Sequence, residues 1–156
     1  MTSKRLGIGF VGSGFNARFH LQSLVGVRDA DVLGIWSPNR ERAQGAAGLA
    51  RQLGVGEAKA FGSIADMVAD PGIDAIWMCG PNHTRLENFQ EITDAVTRGK
   101  GKLVGIACEK PLARNVGEAM QVLELAKKAG VKHGYLENQR FSPQIEIGRE
   151  IGRAHV

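Results

Sequence analysis

Leu6-Gly7-Ile8-Gly9-Phe10-Val11-Gly12-Ser13-Gly14-Phe15-Asn16-Ala17 is the stretch that decides the fold. An apolar run leads into Gly12-x-Gly14-x-x-Ala17, and a helical pattern starts there. Strand, glycine-rich turn and helix in that order form a dinucleotide-binding fingerprint in its Ala-ended version. Gly12 lets the chain turn sharply out of the strand. The missing side chain of Gly14 lets a pyrophosphate approach the backbone, and Ala17 lets the helix pack close to the strand. The helix N-terminus offers unpaired N–H groups and a partial positive charge, so Ser13, Phe15 and Asn16 join Gly12 and Gly14 as candidate contacts. A tight strand–helix turn without a ligand uses the same residues; the order of the elements favours the ligand.

Working outward, the remaining pattern alternates in the same way. Asp31 to Trp36 reads as a second strand and Glu41 to Leu53 as an Ala-rich helix ending at Gly54. Ala58 to Phe61 is a short strand, and Ser63-x-x-Asp66 opens a helix over Ile64 to Ala69. Ile73 to Cys79 is an interior strand, followed by a helix from Arg85 to Arg98. Lys102 to Cys108 is the fifth strand, Asn115-x-x-Glu118 caps a helix closed by Gly130, and Lys132 to Glu137 is the last strand. In the helix after Gly14, Phe15 and Phe19 fall on one face, with Leu24 further along. In the helix after Asn115, Ala119, Val122, Leu123 and Ala126 share a face. Such alternation means an α/β doubly wound parallel sheet, with expected strand order 3-2-1-4-5-6 and a ligand crevice at the carboxyl ends of the strands. Residues 1–140 form the dinucleotide-binding Rossmann domain in this reading. Pro143 starts a further helix, and residues 141–156 are the start of a truncated second domain or a connecting helix.

Composition narrows the class. A chain of 156 residues, 43% hydrophobic, suits one globular domain with a real core. No stretch approaches the roughly 20 apolar residues of a membrane span, and Met1-Thr2-Ser3-Lys4-Arg5 runs into the first strand without a visible signal peptide. Cys79 and Cys108 show no metal-ligand spacing and fit reduced thiols in a cytoplasmic protein. The net charge of +4 comes from Lys and Arg scattered among Asp and Glu, which argues against nucleic acid as the partner.

Four sequence-distant loops fall at carboxyl ends of strands: Gly12 to Ala17, Ser37 to Arg40, Gly80 to His83 and Glu109 to Pro111. The loop after the second strand carries an acidic residue, about 20 residues past the glycine-rich turn, in proteins that bind the ribose 2′-hydroxyl of NAD. Ser37 stands there, with Asn39 and Arg40 close by. A hydroxyl, an amide and a guanidinium suit a 2′-phosphate, so the loop favours NADP, with NAD the alternative. A Ser-Pro turn capping the helix is the plainer use of the same residues. Glu109-Lys110-Pro111 sets a carboxylate and an amine at the end of the fifth strand. Two readings of Lys110 stand: a buried amine used in proton transfer or hydroxyl binding, or an exposed ion pair.

These residues together resemble a known family. Gly12-x-Gly14-x-x-Ala17 followed by His20, Asp74-Ala75-Ile76 leading to Pro81-Asn82, and Glu109-Lys110-Pro111 resemble the glucose-fructose oxidoreductase / inositol dehydrogenase / rhizopine catabolism (Gfo/Idh/MocA) family over about Lys4 to Pro143. The resemblance implies an NAD(P)-dependent oxidoreductase acting on a sugar, a polyol or a related hydroxy compound. It places Lys110 beside the nicotinamide and the reacting hydroxyl, as the catalytic candidate. It places Glu109 at the nicotinamide end of the cofactor, with Gly80, Pro81, Asn82 and His83 in the neighbouring loop. It implies a cis Lys110–Pro111 peptide that turns the lysine into the crevice. Family members often carry Thr before the Pro-Asn pair and a His shortly after it; Gly80 and Arg85 stand there. They also continue into a second α/β domain that supplies the substrate pocket, the catalytic His and the homo-oligomer interface. Val156 falls just where that domain would begin, so the resemblance implies a truncated or partial chain, and none of His20, His83, His133 and His155 matches the catalytic His. The expected consequences are an open sheet edge after the last strand and cofactor binding without turnover. A non-catalytic dinucleotide-binding or sensing module is the rival. An S-adenosylmethionine-dependent methyltransferase wants an acidic residue where Ser37 stands and gives no reason for Glu109-Lys110-Pro111.

Overall fold

A computed structural model describes residues 4–153. Met1 to Ser3, read above as the lead into the first strand, and the end of the chain with His155 lie outside the described residues. Six strands form one parallel sheet: β1 (Leu6–Val11), β2 (Ala30–Trp36), β3 (Lys59–Ala60), β4 (Ala75–Met78), β5 (Gly105–Glu109) and β6 (Lys132–Leu136). Their order is β3-β2-β1-β4-β5-β6, as the alternation predicts. The connecting helices are α1 (Phe15–Ser23), α2 (Arg40–Gln52), α3 (Ile64–Ala69), α4 (Arg85–Thr97) and α5 (Val116–Ala129), and α6 (Pro143–Arg153) follows β6.

The period of two along β1 separates two cores. Phe10 faces one side, where it is buried with Ala17 and Leu21 of α1, Val32 and Ile35 of β2, and Ala43, Ala46, Ala47 and Ala50 of α2. Val11 faces the other, with Met67 of α3, Ile76 and Met78 of β4, Phe89 and Ile92 of α4, Ile106 of β5 and Val122 of α5. Four alanines on α2 let that helix lie close to the sheet. Each fully buried large side chain contributes about 1.5–3 kcal/mol. Both caps read from the sequence form. Ser63 Oγ accepts from the Asp66 amide at 3.0 Å, and Asn115 Oδ1 from the Glu118 amide at 2.9 Å. Gly130 ends α5 in the left-handed region at φ +66°.

Three expectations shift. Phe15 and Phe19 do share a face of α1, but it is the outer one: they are 82% and 55% exposed and stack on each other at 6.3 Å. The buried face is Ala17 and Leu21, two positions or about 200° further round the helix, where they pack with Phe10. β4 begins at Ala75 rather than Ile73. β5 begins at Gly105 rather than Lys102, where its pairing with Ala75 of β4 starts; Val104 before it is exposed. β6 is the last strand of the sheet, pairs only with β5 among the described residues, and carries exposed side chains from Lys132 to Tyr135. The Lys110–Pro111 peptide is cis. No helix among the described residues is long and apolar enough to cross a membrane.

Candidate functional site

The carboxyl ends of β1, β2, β4 and β5 surround a cleft of about 790 Å³, within the range of ligand sites. Its floor is the glycine-rich turn. Gly12 has φ +120°, and a β-carbon there would stand 2.8 Å from the Gly80 nitrogen and 3.0 Å from the Cys79 carbonyl carbon. The glycine therefore does more than turn the chain; it lets the ends of β1 and β4 close on each other. Gly14 is the N-cap of α1 and offers no side-chain cap. A β-carbon on Gly14 would meet nothing within 4 Å. The first capping-turn bond runs from the Arg18 amide to the Gly14 carbonyl at 3.1 Å, so the amides ahead of Arg18 have no acceptor within the helix. Ser13 is buried beside them, and Phe15 and Asn16 line the cleft.

The loop after β2 contributes Ser37, Pro38 and Asn39. Asn39 Oδ1 accepts from the Arg42 amide at 2.9 Å, so this side chain caps α2 while lining the cleft. Arg40 does not line it; Arg42 does. The two arginines are separated by about 200° of helix rotation, which carries Arg42 to the cleft side. The loop after β4 contributes Gly80, Pro81, Asn82 and His83 as expected, joined by Thr84 and Asn88. Thr84 Oγ1 donates to the Pro81 carbonyl at 3.0 Å and accepts from Asn88 Nδ2 at 3.3 Å, which fixes the turn.

At the end of β5, Lys110 is exposed and lines the cleft. Neither reading of it holds as stated: it is not buried, and its neighbour Glu109 is not its ion-pair partner. Glu109 is 8% exposed and does not line the cleft. Its Oε1 lies 2.5 Å from His20 Nε2, because α1 holds a ring nitrogen over the strand end where a buried carboxylate needs a partner.

Arg85 was legible only as a departure from a family pattern, and it organises this end of the cleft. It is 3% exposed. Nη2 donates to the Gly80 carbonyl at 2.8 Å, and Nη1 donates to the carbonyls of Glu109 and Pro111. One signal was present: a cation in the first turn of a helix opposes the helix dipole, so it needs another reason to be there. Burial pulls the Arg85 pKa down, opposed by its neighbours Cys108 and Glu109. Burial pushes the Cys108 thiol up to about 11 and the Cys79 thiol up as well, Glu109 adding to the latter, so both stay protonated at neutral pH. No group of three or more His, Cys, Asp or Glu that could hold a metal ion occurs among the described residues.

The arrangement fits a nicotinamide dinucleotide. Space stands open over Gly14, helix amides lack acceptors, and Arg42 and Lys110 both line the cleft. A family model described as "Oxidoreductase family, NAD-binding Rossmann fold" matches residues 6–136. The chain belongs to the Gfo/Idh/MocA oxidoreductase family. It is 28% identical to myo-inositol 2-dehydrogenase of Thermotoga maritima over 155 residues, covering 96% of the chain and 43% of that relative. It is 31% identical to inositol 2-dehydrogenase 1 of Saccharopolyspora erythraea over 154 residues, covering 96% of the chain and 42% of that relative. The crystal structure of myo-inositol dehydrogenase from Lactobacillus casei, in complex with NAD(H) and myo-inositol, shares the fold with a TM-score of 0.79 at 21% identity, over 97% of this chain and 42% of that one. The Gfo/Idh/MocA chain described here thus spans less than half the length of these relatives. Its fold is the family's NAD-binding unit, and the family is one of NAD-dependent oxidoreductases.

Proposed function

We propose that this chain is the cofactor-binding unit of an oxidoreductase that takes NADP(H) in preference to NAD(H) and acts on a sugar, a polyol or a related hydroxy compound. In this reading residues 1–140 are the dinucleotide domain, residues 141–156 lead away from it, and the protein works in the cytoplasm as a homo-oligomer. The convergence of four strand-end loops on one cleft, with Lys110 at its edge, carries the proposal.

The α1 amides and the open face of Gly14 hold the pyrophosphate. Ser37 and Arg42 hold a 2′-phosphate. Among the residues of the β2 loop that line the cleft there is no carboxylate to repel that group. Gly80 to His83 border the nicotinamide side. The nicotinamide, when bound, accepts or gives a hydride at C4. Lys110 donates a hydrogen bond to the substrate oxygen and so assists loss of the hydroxyl proton, which passes to water or to a base of the whole enzyme as the carbinol becomes a carbonyl, the reverse holding for reduction. The inositol dehydrogenases among the relatives support this substrate class.

Fluorescence titration of the chain with NADPH and NADH tests the cofactor reading. Saturable binding of both, tighter for NADPH, is expected; equal affinity for both overturns the NADP preference, and no binding of either overturns the cofactor reading. In the protein as it occurs in the cell, reduction of NADP by a panel of inositols and sugars, lost in Lys110→Ala, is expected. Tight cofactor binding with no turnover of any hydroxy compound there favours the sensing module instead.

A further inference from the structure

One side-chain cluster lies beneath the cleft without lining it. His20 Nε2 is 2.5 Å from Glu109 Oε1, with the two side chains 19% and 10% exposed. The carboxylate accepts, so Nε2 carries the proton. The imidazole lies against the Trp77 indole at 4.5 Å between centroids, and that indole stacks on Phe10 at 5.4 Å. Trp77 belongs to β4, the strand between β1 and β5, so His20 reaches from α1 across one strand to the end of the next. The second oxygen, Glu109 Oε2, accepts from the Lys110 amide at 3.3 Å. On the α4 side of the sheet, Arg85 holds the Glu109 and Pro111 carbonyls.

The chain of contacts therefore runs from helix α1 to the Lys110 turn. Its start, α1, is the helix whose N-terminus receives the pyrophosphate in the reading above; its end is the residue assigned to the reacting hydroxyl. The separation of those two points must match the separation of pyrophosphate and nicotinamide in the bound cofactor. Resting on that reading, we propose that His20 is a positioning residue: through Glu109 it fixes the Lys110 turn relative to helix α1, and so sets the fit of the nicotinamide half alone. A hydrogen bond to a charged partner in a partly buried site is strong enough to do this.

Two substitutions separate positioning from support. His20→Phe keeps a ring on Trp77 and removes the bond; His20→Gln keeps an N–H donor. Dissociation constants are measured for NADPH and for 2′-phospho-ADP-ribose, which has the pyrophosphate but no nicotinamide. His20→Phe weakens NADPH about tenfold or more, leaves 2′-phospho-ADP-ribose within about twofold, and His20→Gln recovers most of the loss. Equal losses for both ligands, or no loss for either, overturn the proposal. Hydrogen exchange of the Lys110 amide in the ligand-free chain gives a second readout. It is expected to quicken in His20→Phe and to recover in His20→Gln, while the Asn16 amide is unchanged. Unchanged exchange at Lys110 overturns the positioning role whatever the cofactor does. A wild-type chain that binds no nicotinamide dinucleotide, yet shows this exchange response, keeps the pair and removes the cofactor reading.

Discussion

Nη2 of Arg85 lies 2.8 Å from the carbonyl oxygen of Gly80, a bond that joins the loop after β4 to the first turn of α4. The same guanidinium donates to the carbonyls of Glu109 and Pro111, so one side chain ties the loop after β4 to the loop after β5. Arg85→Ala leaves three carbonyls short of a donor in a buried site and is expected to lower stability by about 3 kcal/mol or more. Arg85→Lys is not conservative here, because a single ammonium cannot span carbonyls that a planar fork reaches. Urea unfolding checks both. A loss below about 1 kcal/mol in Arg85→Ala would show that water replaces the guanidinium without strain.

Gly12 and Gly14 sit two residues apart and predict opposite outcomes. Gly12→Ala puts a β-carbon 2.8 Å from a backbone nitrogen at φ +120°, a position where an L side chain is strained. A loss of about 2–4 kcal/mol is expected in thermal or urea unfolding. Gly14→Asp has open space and an extended backbone. It places a good N-cap on α1, so the fold is retained or slightly strengthened, while its carboxylate opposes a pyrophosphate. NADPH affinity should fall about a hundredfold without loss of stability. Retained affinity would move the phosphate site away from this turn.

The sequence made the architecture legible because each level of the pattern agreed. Apolar strands, caps such as Ser63 and Asn115, and the left-handed Gly130 all marked the same alternation, and four loops fell at one end of it. What it hid were directions that depend on the assembled fold. Phe15 and Phe19 share a face of α1 as read, but the assembled fold turns that face outward and buries Ala17 and Leu21. Arg40 looked like the phosphate ligand because it comes first after Asn39, but helix rotation brings Arg42 to the cleft. Glu109 and Lys110 are adjacent in sequence, which suggests an ion pair, although successive side chains of a strand leave on opposite faces. The tertiary fold instead brings His20, 89 positions away, to the carboxylate.

Arg42, the arginine that lines the cleft after β2, carries a prediction of selectivity on the proposed cofactor reading. Arg42→Ala is expected to weaken NADPH by about 1.5–3 kcal/mol, the range for a hydrogen bond to a charged group, and to leave NADH nearly unchanged. Arg40→Ala should leave both unchanged, since this side chain lies outside the cleft lining. Titrations of both ligands against both variants decide it. A loss of NADPH affinity in Arg40→Ala with none in Arg42→Ala would restore the reading from the sequence.

Asp74 anchors the start of the sheet and predicts a dependence on pH. Its Oδ1 accepts from Lys4 Nζ at 2.7 Å and its Oδ2 from the Gly7 amide at 2.8 Å. The Lys4 ammonium and then the Gly7 N–H hold its pKa below the usual carboxylate range, against a smaller opposing effect of burial. The folded chain thus releases this proton more readily than the unfolded chain. Its contribution is complete above the unfolded pKa of about 3.9 and is lost as the pH falls through the lower folded value. Lys4 is largely exposed, so solvent screening limits the gain to about 1 kcal/mol. Wild type should exceed Asp74→Asn by that amount at pH 7, keep the advantage down to about pH 5, and lose it in more acid solution. Asp70 has the same design, with Lys59 Nζ at 2.6 Å and the Gly72 amide at 2.9 Å, so Asp70→Asn should follow the same curve. Urea unfolding across this pH range measures the difference directly. A gap between wild type and Asp74→Asn that persists in acid would mean that the amide disturbs packing at the start of β1, and that the carboxylate's charge contributes nothing.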